Sequence, residues 1–391
     1  MTDLLKILLA STLAILLTGC PQSGSEAPEA TDAPATADTP SETTGAATEG
    51  EAEDPVPDFG GADRSDAQTV KEAWASPFHE PDNIDSVAFW HGEHDGATVS
   101  WVMATGKESH DLVVYDANNG SIVRRVGGPG AEAGQFQRPN GIMVHGDLAL
   151  VVERDNHRIQ VLGLPGFETR ALVGADVLRR PYGLTVTEDE PGVLEVYVTD
   201  NYETAEGEIP PDAELGKRVK HLRIFASATP VDSEHVRSFG DTEGPGVLTK
   251  VETIFVDDLN GRLLIANEHA DGMAFAAYDL EGNFTGELVG KGHFFHEAEG
   301  LALRSCGETG HWIATDQAPD VSLFRVFDQN TFEYRGTFVG PLTANTDGVT
   351  LTSMATEAFP AGAFFAVHDD QGVTAFDWRH VAEALGLPPG C

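Results

Sequence analysis

The chain has 391 residues, 63 of them acidic and 24 basic, for a formal net charge of −39. With 41% hydrophobic residues it is too apolar overall for a disordered chain, and too acidic to bind nucleic acid through an electrostatic footprint. No apolar run of membrane-spanning length follows the N-terminus, which excludes a multi-span membrane protein, and an anionic ligand needs cations or a local basic patch to approach.

Lys6 precedes an apolar stretch from Ile7 to Leu17, which ends Leu17-Thr18-Gly19-Cys20. This resembles a bacterial lipobox, so residues 1–19 are expected to be a lipoprotein signal peptide and Cys20 the lipidated first residue of the mature chain. An ordinary signal peptide or a single anchor helix is the alternative. Pro21 after the cysteine favours the outer membrane. The expected location is the cell envelope, lipid-anchored and facing the periplasm or exterior. Residues 21–63 carry 11 acidic residues and no basic one, with almost no large apolar side chain. Such a segment cannot bury enough surface to offset its ordering entropy, so 20–65 reads as a disordered, self-repelling linker. The folded domain is then 66–391, expected as a monomer. Its cysteines, Cys306 and Cys391, either pair in an oxidising compartment or stand as free thiols.

Short β-like runs follow in chain order: Thr98–Ala104, Leu112–Asp116, Leu148–Glu153, Val193–Thr199, Leu263–Asn267, His311–Asp316 and Phe364–Asp369. Turn signals such as Asn118-Asn119-Gly120 and Asn260-Gly261 separate them, and a short helix is predicted only at Trp378–Leu385. The runs recur in an order, each set opened by a short apolar strand: Ser86–Trp90, Gly141–Val144, Gly183–Val186, Ile254–Val256, Gly300–Leu303 and Gly348–Leu351. Their spacing is about 42 to 71 residues, the widest gap holding a polar insertion, Asn201–Lys220. Six units of four strands predict an all-β, six-bladed β-propeller, with a β-sandwich or paired β domains as the alternative. Gly134–Ile142 followed by Asp155–Val161 resembles an NHL-type propeller repeat.

Beside the opening strands stand Asp85, Asn140, Tyr182, Glu252, Glu299 and Asp347. Equivalent positions in a ring converge on one mouth. Glu268 follows the second strand of its blade, and Glu297 lies two residues before Glu299, about 7 Å away on one face of an extended strand. Packed carboxylates repel unless protonated or bridged by cations. An oxygen-only donor set without clustered His or Cys favours Ca²⁺ over zinc or copper, although turn and capping roles account for such residues equally well.

At these residues the chain resembles the β-propeller phytases, calcium-dependent hydrolases of inositol hexakisphosphate. Glu297-Ala298-Glu299-Gly300-Leu301 is similar to that family's Asp-x-Glu-Gly-Leu, and Thr346-Asp347-Gly348-Val349 to its Thr-Asp-Gly-Ile. Ala363–Asp369 resembles the strand that follows. Val251-Glu252 and Ile265-Ala266-Asn267-Glu268 fall where the family has Thr-Glu-Gly and Ile-Ala-Glu-Glu. The resemblance implies Asp85, Glu252, Glu268, Glu297, Glu299 and Asp347 as calcium ligands. It implies Lys107, Arg154 and Tyr182 as phosphate-facing residues, with Glu299, Asp347, Lys107 and Arg154 in the catalytic machinery. The implied substrate is a small phosphate ester bound through calcium. Departures are Ser86 in place of a second acid, Thr253 in place of a glycine, and Asn201 near a family lysine, for which Lys217, Arg218 and Lys220 of the insertion are candidate substitutes.

Two other functions fit a six-bladed propeller. One is a calcium-dependent lactonase of the gluconolactonase kind, using Asn140, Glu299 and Asp347 on one central metal. The other is a non-catalytic, NHL-like binding module. His293 and His296, three apart, read as loop or packing residues rather than ligands.

Overall fold

The computed structural model describes residues 65–268 and 273–391. Cys20, the signal peptide 1–19 and the linker up to residue 64 lie outside the described residues. Two short strands come first, β1 (Ala67–Thr69) and β2 (Trp74–Ala75). Blade 1 contains β3 (Ile84–His94), β4 (Ala97–Gly106), β5 (Asp111–Asp116) and β6 (Ile122–Gly127). Blade 2 contains β7 (Pro139–His145), β8 (Leu148–Glu153), β9 (Arg158–Gly163) and β10 (Glu168–Val173). Blade 3 contains β11 (Pro181–Glu190), β12 (Val193–Asp200), β13 (Val219–Phe225) and β14 (Asp232–Phe239). Blade 4 contains β15 (Ile254–Asp257), β16 (Arg262–Asn267), β17 (Ala274–Asp279) and β18 (Phe284–Val289). Blade 5 contains β19 (Glu297–Cys306), β20 (Thr309–Ala318), β21 (Val321–Asp328) and β22 (Tyr334–Val339). Blade 6 contains β23 (Val349–Thr352), β24 (Ala363–His368) and β25 (Gly372–Asp377).

The chain folds as a six-bladed β-propeller. Each blade is an antiparallel meander, and an apolar wedge fills every gap between neighbours. The second strands show why the sequence reads as continuous apolar runs. Leu263 and Ile265 of β16 enter the wedge shared with blade 3, while Leu264 and Ala266 enter the wedge shared with blade 5. Period-2 alternation thus buries both faces of the strand.

Blade 6 takes its outermost strand from the other end of the domain: β2 pairs antiparallel with β25, and β1 adds a parallel fifth strand to blade 5 beside β22. Neither strand was expected, because two or three residues carry no readable period. The helix at the C-terminus, α2 (Trp378–Leu385), covers the predicted range; α1 (Asp212–Leu215) is a single turn inside the insertion. Asp377 caps α2 by accepting from the Arg379 amide, and Gly386 ends it at φ +66°. Cys306 and Cys391 are disulfide-bonded.

The opening strands line an axial cavity of about 200 Å³, walled largely by apolar side chains such as Ile142, Leu184, Ile254 and Leu301. Its width is held by glycines. A Cβ on Gly183 would lie 2.2 Å from the Glu252 carbonyl oxygen, one on Gly300 2.4 Å from that of Asp347, and one on Gly348 2.5 Å from that of Asp85. Each of these glycines presses against the next blade.

Candidate functional site

The same irregularity opens four blades. Ile84 pairs with Gly106, Pro139 with Glu153, Pro181 with Asp200 and Ala298 with Asp316, and immediately afterwards the register shifts by one residue. The bulged pairs are Asp85-Ser86, Asn140-Gly141, Tyr182-Gly183 and Glu299-Gly300. A bulge bends its strand and re-aims a side chain. Threonines opposite the bulges absorb the displaced backbone groups. Thr105 Oγ1 accepts from the Ser86 amide (3.0 Å) and donates to the Asn140 carbonyl of the next blade (2.6 Å). Thr199 Oγ1 accepts from the Gly183 amide (2.8 Å) and donates to the Glu252 carbonyl (2.6 Å). These threonines tie blade to blade and went unnoticed in the sequence.

The bulges present Asp85, Asn140, Tyr182 and Glu299, while Glu252 and Asp347 stand two residues before the opening strands of blades 4 and 6. Asp85 (1% exposed) accepts from the Lys107 ammonium at 2.9 Å, the Tyr182 hydroxyl at 3.1 Å and Ser86 Oγ at 3.0 Å. Tyr182, from blade 3, thus reaches a carboxylate of blade 1. Asp347 accepts from Gln317 Nε2 at 3.0 Å, and its other oxygen is buried close to Asp370. Asn140 is fully buried, and neither atom of its side-chain amide has a partner among the described residues.

Glu252, Glu268 and Glu299 form the tightest group: one oxygen from each lies within 4.8 Å of the others. Glu268 and Glu299 are each 4% exposed, and among the described residues Glu268 is met only by the Lys250 ammonium, at 3.5 Å. Burial pushes the Glu252 carboxyl up to about 7; Asp85 adds to this, against the pull of Lys250, Lys107 and the Tyr182 hydroxyl. Burial and then Glu252 hold Glu268 well above the usual carboxylate range, and burial with Glu268 and Glu252 does the same to Glu299. Asp347 is raised by burial, with Asp370 and Asp85 adding and Lys107 opposing. Burial works against the Lys107 charge, but Asp85, Asp347 and Asp370 more than offset it. Such a group of carboxylates calls for protons or for a hard cation. The donor set, carboxylate oxygens with those of Glu268 met only by the Lys250 ammonium at 3.5 Å, is of the kind that a calcium ion takes.

The bulge at Glu299-Gly300 replaces the simple alternation expected for Glu297 and Glu299. Glu299 is buried, while Glu297 is partly exposed and is reached by Lys250 Nζ at 3.3 Å. Lys250 was missed; its only signal was a basic residue two positions before Glu252 in an acidic chain. Arg154 occupies in blade 2 the position that Lys107 and Glu268 hold in theirs, directly after the second strand. Its Nε lies 2.8 Å from Asp155.

The insertion does not supply a free cation from Arg218 or Lys220. Arg218 is sealed inside, donating to the carbonyls of Asp200, Tyr202 and Thr249, and Lys220 pairs with buried Asp200 at 3.2 Å. Lys217 is paired with Glu214 at 2.8 Å. His293 stacks on Tyr334 with ring centres 4.4 Å apart, and the His296 backbone amide donates to Asp316, 3.7 Å from which its own ring nitrogen lies.

No protein-family model matches the chain, and no curated protein matches it. Among solved structures it is similar to a chain of the nidogen/laminin complex, at 10% identity and a TM-score of 0.40 over 66% of this chain and 82% of that one. It is similar to hydrazine synthase of Kuenenia stuttgartiensis at 10% identity and 0.43, over 80% and 82%. It is also similar to a member of the DUF4221 family from Bacteroides vulgatus at 10% and 0.40, over 79% and 97%. These likenesses carry nothing about chemistry.

Proposed function

We propose that this propeller is a calcium-dependent phosphomonoester hydrolase of the β-propeller phytase type, acting on inositol hexakisphosphate or a related phosphate ester. The observation that carries the reading is the convergence of Glu252, Glu268 and Glu299 within 4.8 Å at the mouth where Asp85, Asp347, Lys107 and Tyr182 also meet. When bound, a calcium ion supplies Lewis acidity, lowering the pKa of a water and offsetting phosphate charge. The three glutamates would hold it, with Asp85, Asp347 and Glu297 as further candidate ligands. Lys107, fixed by Asp85, presents a compact positive charge to a phosphate oxygen, and the Tyr182 hydroxyl orients the same carboxylate. Anchored through Cys20, the enzyme would work at the cell envelope.

Phosphate release from calcium phytate is expected to vanish with chelator, and to fall at least a hundredfold in Glu299→Gln. Release that survives both treatments would exclude the mechanism. The fully buried, unpartnered Asn140 amide favours a second reading, a lactonase with Asn140, Glu299 and Asp347 about one metal. Lactone substrates in the same assay separate the two, and calcium binding without any turnover would mark a binding module.

A further inference from the structure

We propose that the Lys250 ammonium is a tethered counter-cation of the carboxylate cluster, standing where a further divalent ion would otherwise bind and so limiting how many ions the mouth admits. This rests on the reading of the mouth as a divalent-cation site.

The lysine is delivered to a set place. Its carbonyl accepts from the Glu268 amide (3.2 Å). The residue before it, Thr249, donates through its amide and hydroxyl to Asn267 Oδ1 and accepts from Arg218. The residue after it, Val251, donates to Asn201 Oδ1 at 3.2 Å. The backbone is thus pinned on both sides, and only the side chain has freedom.

The ammonium lies 3.3 Å from Glu297 Oε1 and 3.5 Å from Glu268 Oε2. Both distances exceed the 2.7–2.9 Å of a tight charge-assisted bond. Lys250 stands among carboxylates of blades 4 and 5 rather than being bound closely to one. Four acids surround this place, Glu252, Glu268, Glu297 and Glu299, and the buried Glu268 has no hydrogen bond among the described residues shorter than this 3.5 Å approach. A single positive charge cannot satisfy four negative ones, yet it repels any divalent ion that approaches within several ångströms. At the effective dielectric of a protein interior, one unit charge at that range changes divalent affinity by more than tenfold. An ammonium also presents three donors and no acceptor, so it can occupy a cation's place but cannot ligate one.

Calorimetric titration of calcium alone into the chelated full chain tests this, with wild type, Lys250→Met and Lys250→Arg compared and folding followed by circular dichroism. Lys250→Met is expected to bind calcium at least tenfold more tightly or to take up an additional ion, while Lys250→Arg keeps the wild-type stoichiometry. If Lys250→Met does not fold in chelator, Lys250→Gln, which removes the charge and keeps a polar head, carries the same comparison. A folded variant whose isotherm matches wild type, or is weaker, overturns the proposal and leaves the calcium reading intact. Binding by the variant but not by wild type supports the tethered cation and overturns calcium dependence of the native protein. Silence from both overturns both.

Discussion

Gly183 shows how little space separates neighbouring inner strands. A methyl group there would meet the Glu252 carbonyl at 2.2 Å, against backbone that cannot rotate away. Gly183→Ala is therefore expected to cost roughly 1–3 kcal/mol in chemical denaturation, and to weaken calcium binding by displacing Glu252. A second residue-scale pattern separates structural acids from candidate ligands. At the end of the second strand, Glu153, Asp200, Asn267, Asp316 and His368 each accept a backbone amide from the loop entering their own blade. Those side chains are already committed to backbone amides, whereas Glu268, one position further on, faces only the Lys250 ammonium at 3.5 Å among the described residues. The raised carboxyls set a pH dependence for the metal-free protein. A carboxyl whose folded pKa exceeds its unfolded one holds its proton better when folded, so it contributes stability at low pH and loses it on ionising. For Glu252 the loss spans pH 4.5 to about 7. In chelator the melting temperature is expected to fall across that window, and calcium to restore more stability at pH 7.5 than at pH 5. A flat profile in chelator would contradict the burial of these groups.

Among the elements, the two N-terminal strands do most to close the ring. Trp74 of β2 donates from its indole to the Ala117 carbonyl at 3.0 Å and packs against Phe365, joining blades 1 and 6. Glu72 accepts from the amides of Leu342 and Thr343 and from the Thr343 hydroxyl with a single oxygen. Without β2 the edge of β25 would stand open, a template for aggregation. Trp74→Ala is expected to cost roughly 3 kcal/mol and to speed amide hydrogen exchange in β25 while leaving β8 and β12 protected. Uniform acceleration across all blades would argue against a local role. The four bulges belong to this scale as well. Each inserts one residue opposite a well-paired strand, and each places an inner-ring residue at the mouth.

For the whole molecule, the disulfide joins the end of β19 to the C-terminal residue across 85 positions. By loop-closure entropy, a crosslink of that span contributes about 4.6 kcal/mol. Reduction is expected to lower the melting temperature without changing calcium stoichiometry, since the bond lies outside the carboxylate mouth. The net charge of −39 also resolves at this scale. Part of it belongs to the segment 21–63, and part is paired or capping, as at Asp200 and Asp316. At the mouth, Glu252, Glu268, Glu299 and Asp347 of blades 4, 5 and 6, with Asp85 of blade 1, make a demand for cations that Lys107 and Lys250 meet only in part.

Local pattern alone specified the strands, their grouping into six units, the α2 helix and the six positions beside the opening strands, because alternation of apolar residues and a repeated order of elements are written along the chain. The apolar runs at Leu263–Ala266 already required burial on both faces. Tertiary structure decided what depends on partners far apart in sequence. It brought Trp74 to β25, paired Cys306 with Cys391, and turned Glu299 inward at a bulge while Glu297 stayed partly exposed. It also spent Arg218 and Lys220 on the interior and set Lys250 among four glutamates. Charge, burial and hydrogen-bond satisfaction are properties of the space around a side chain, and that space is assembled only when the ring closes.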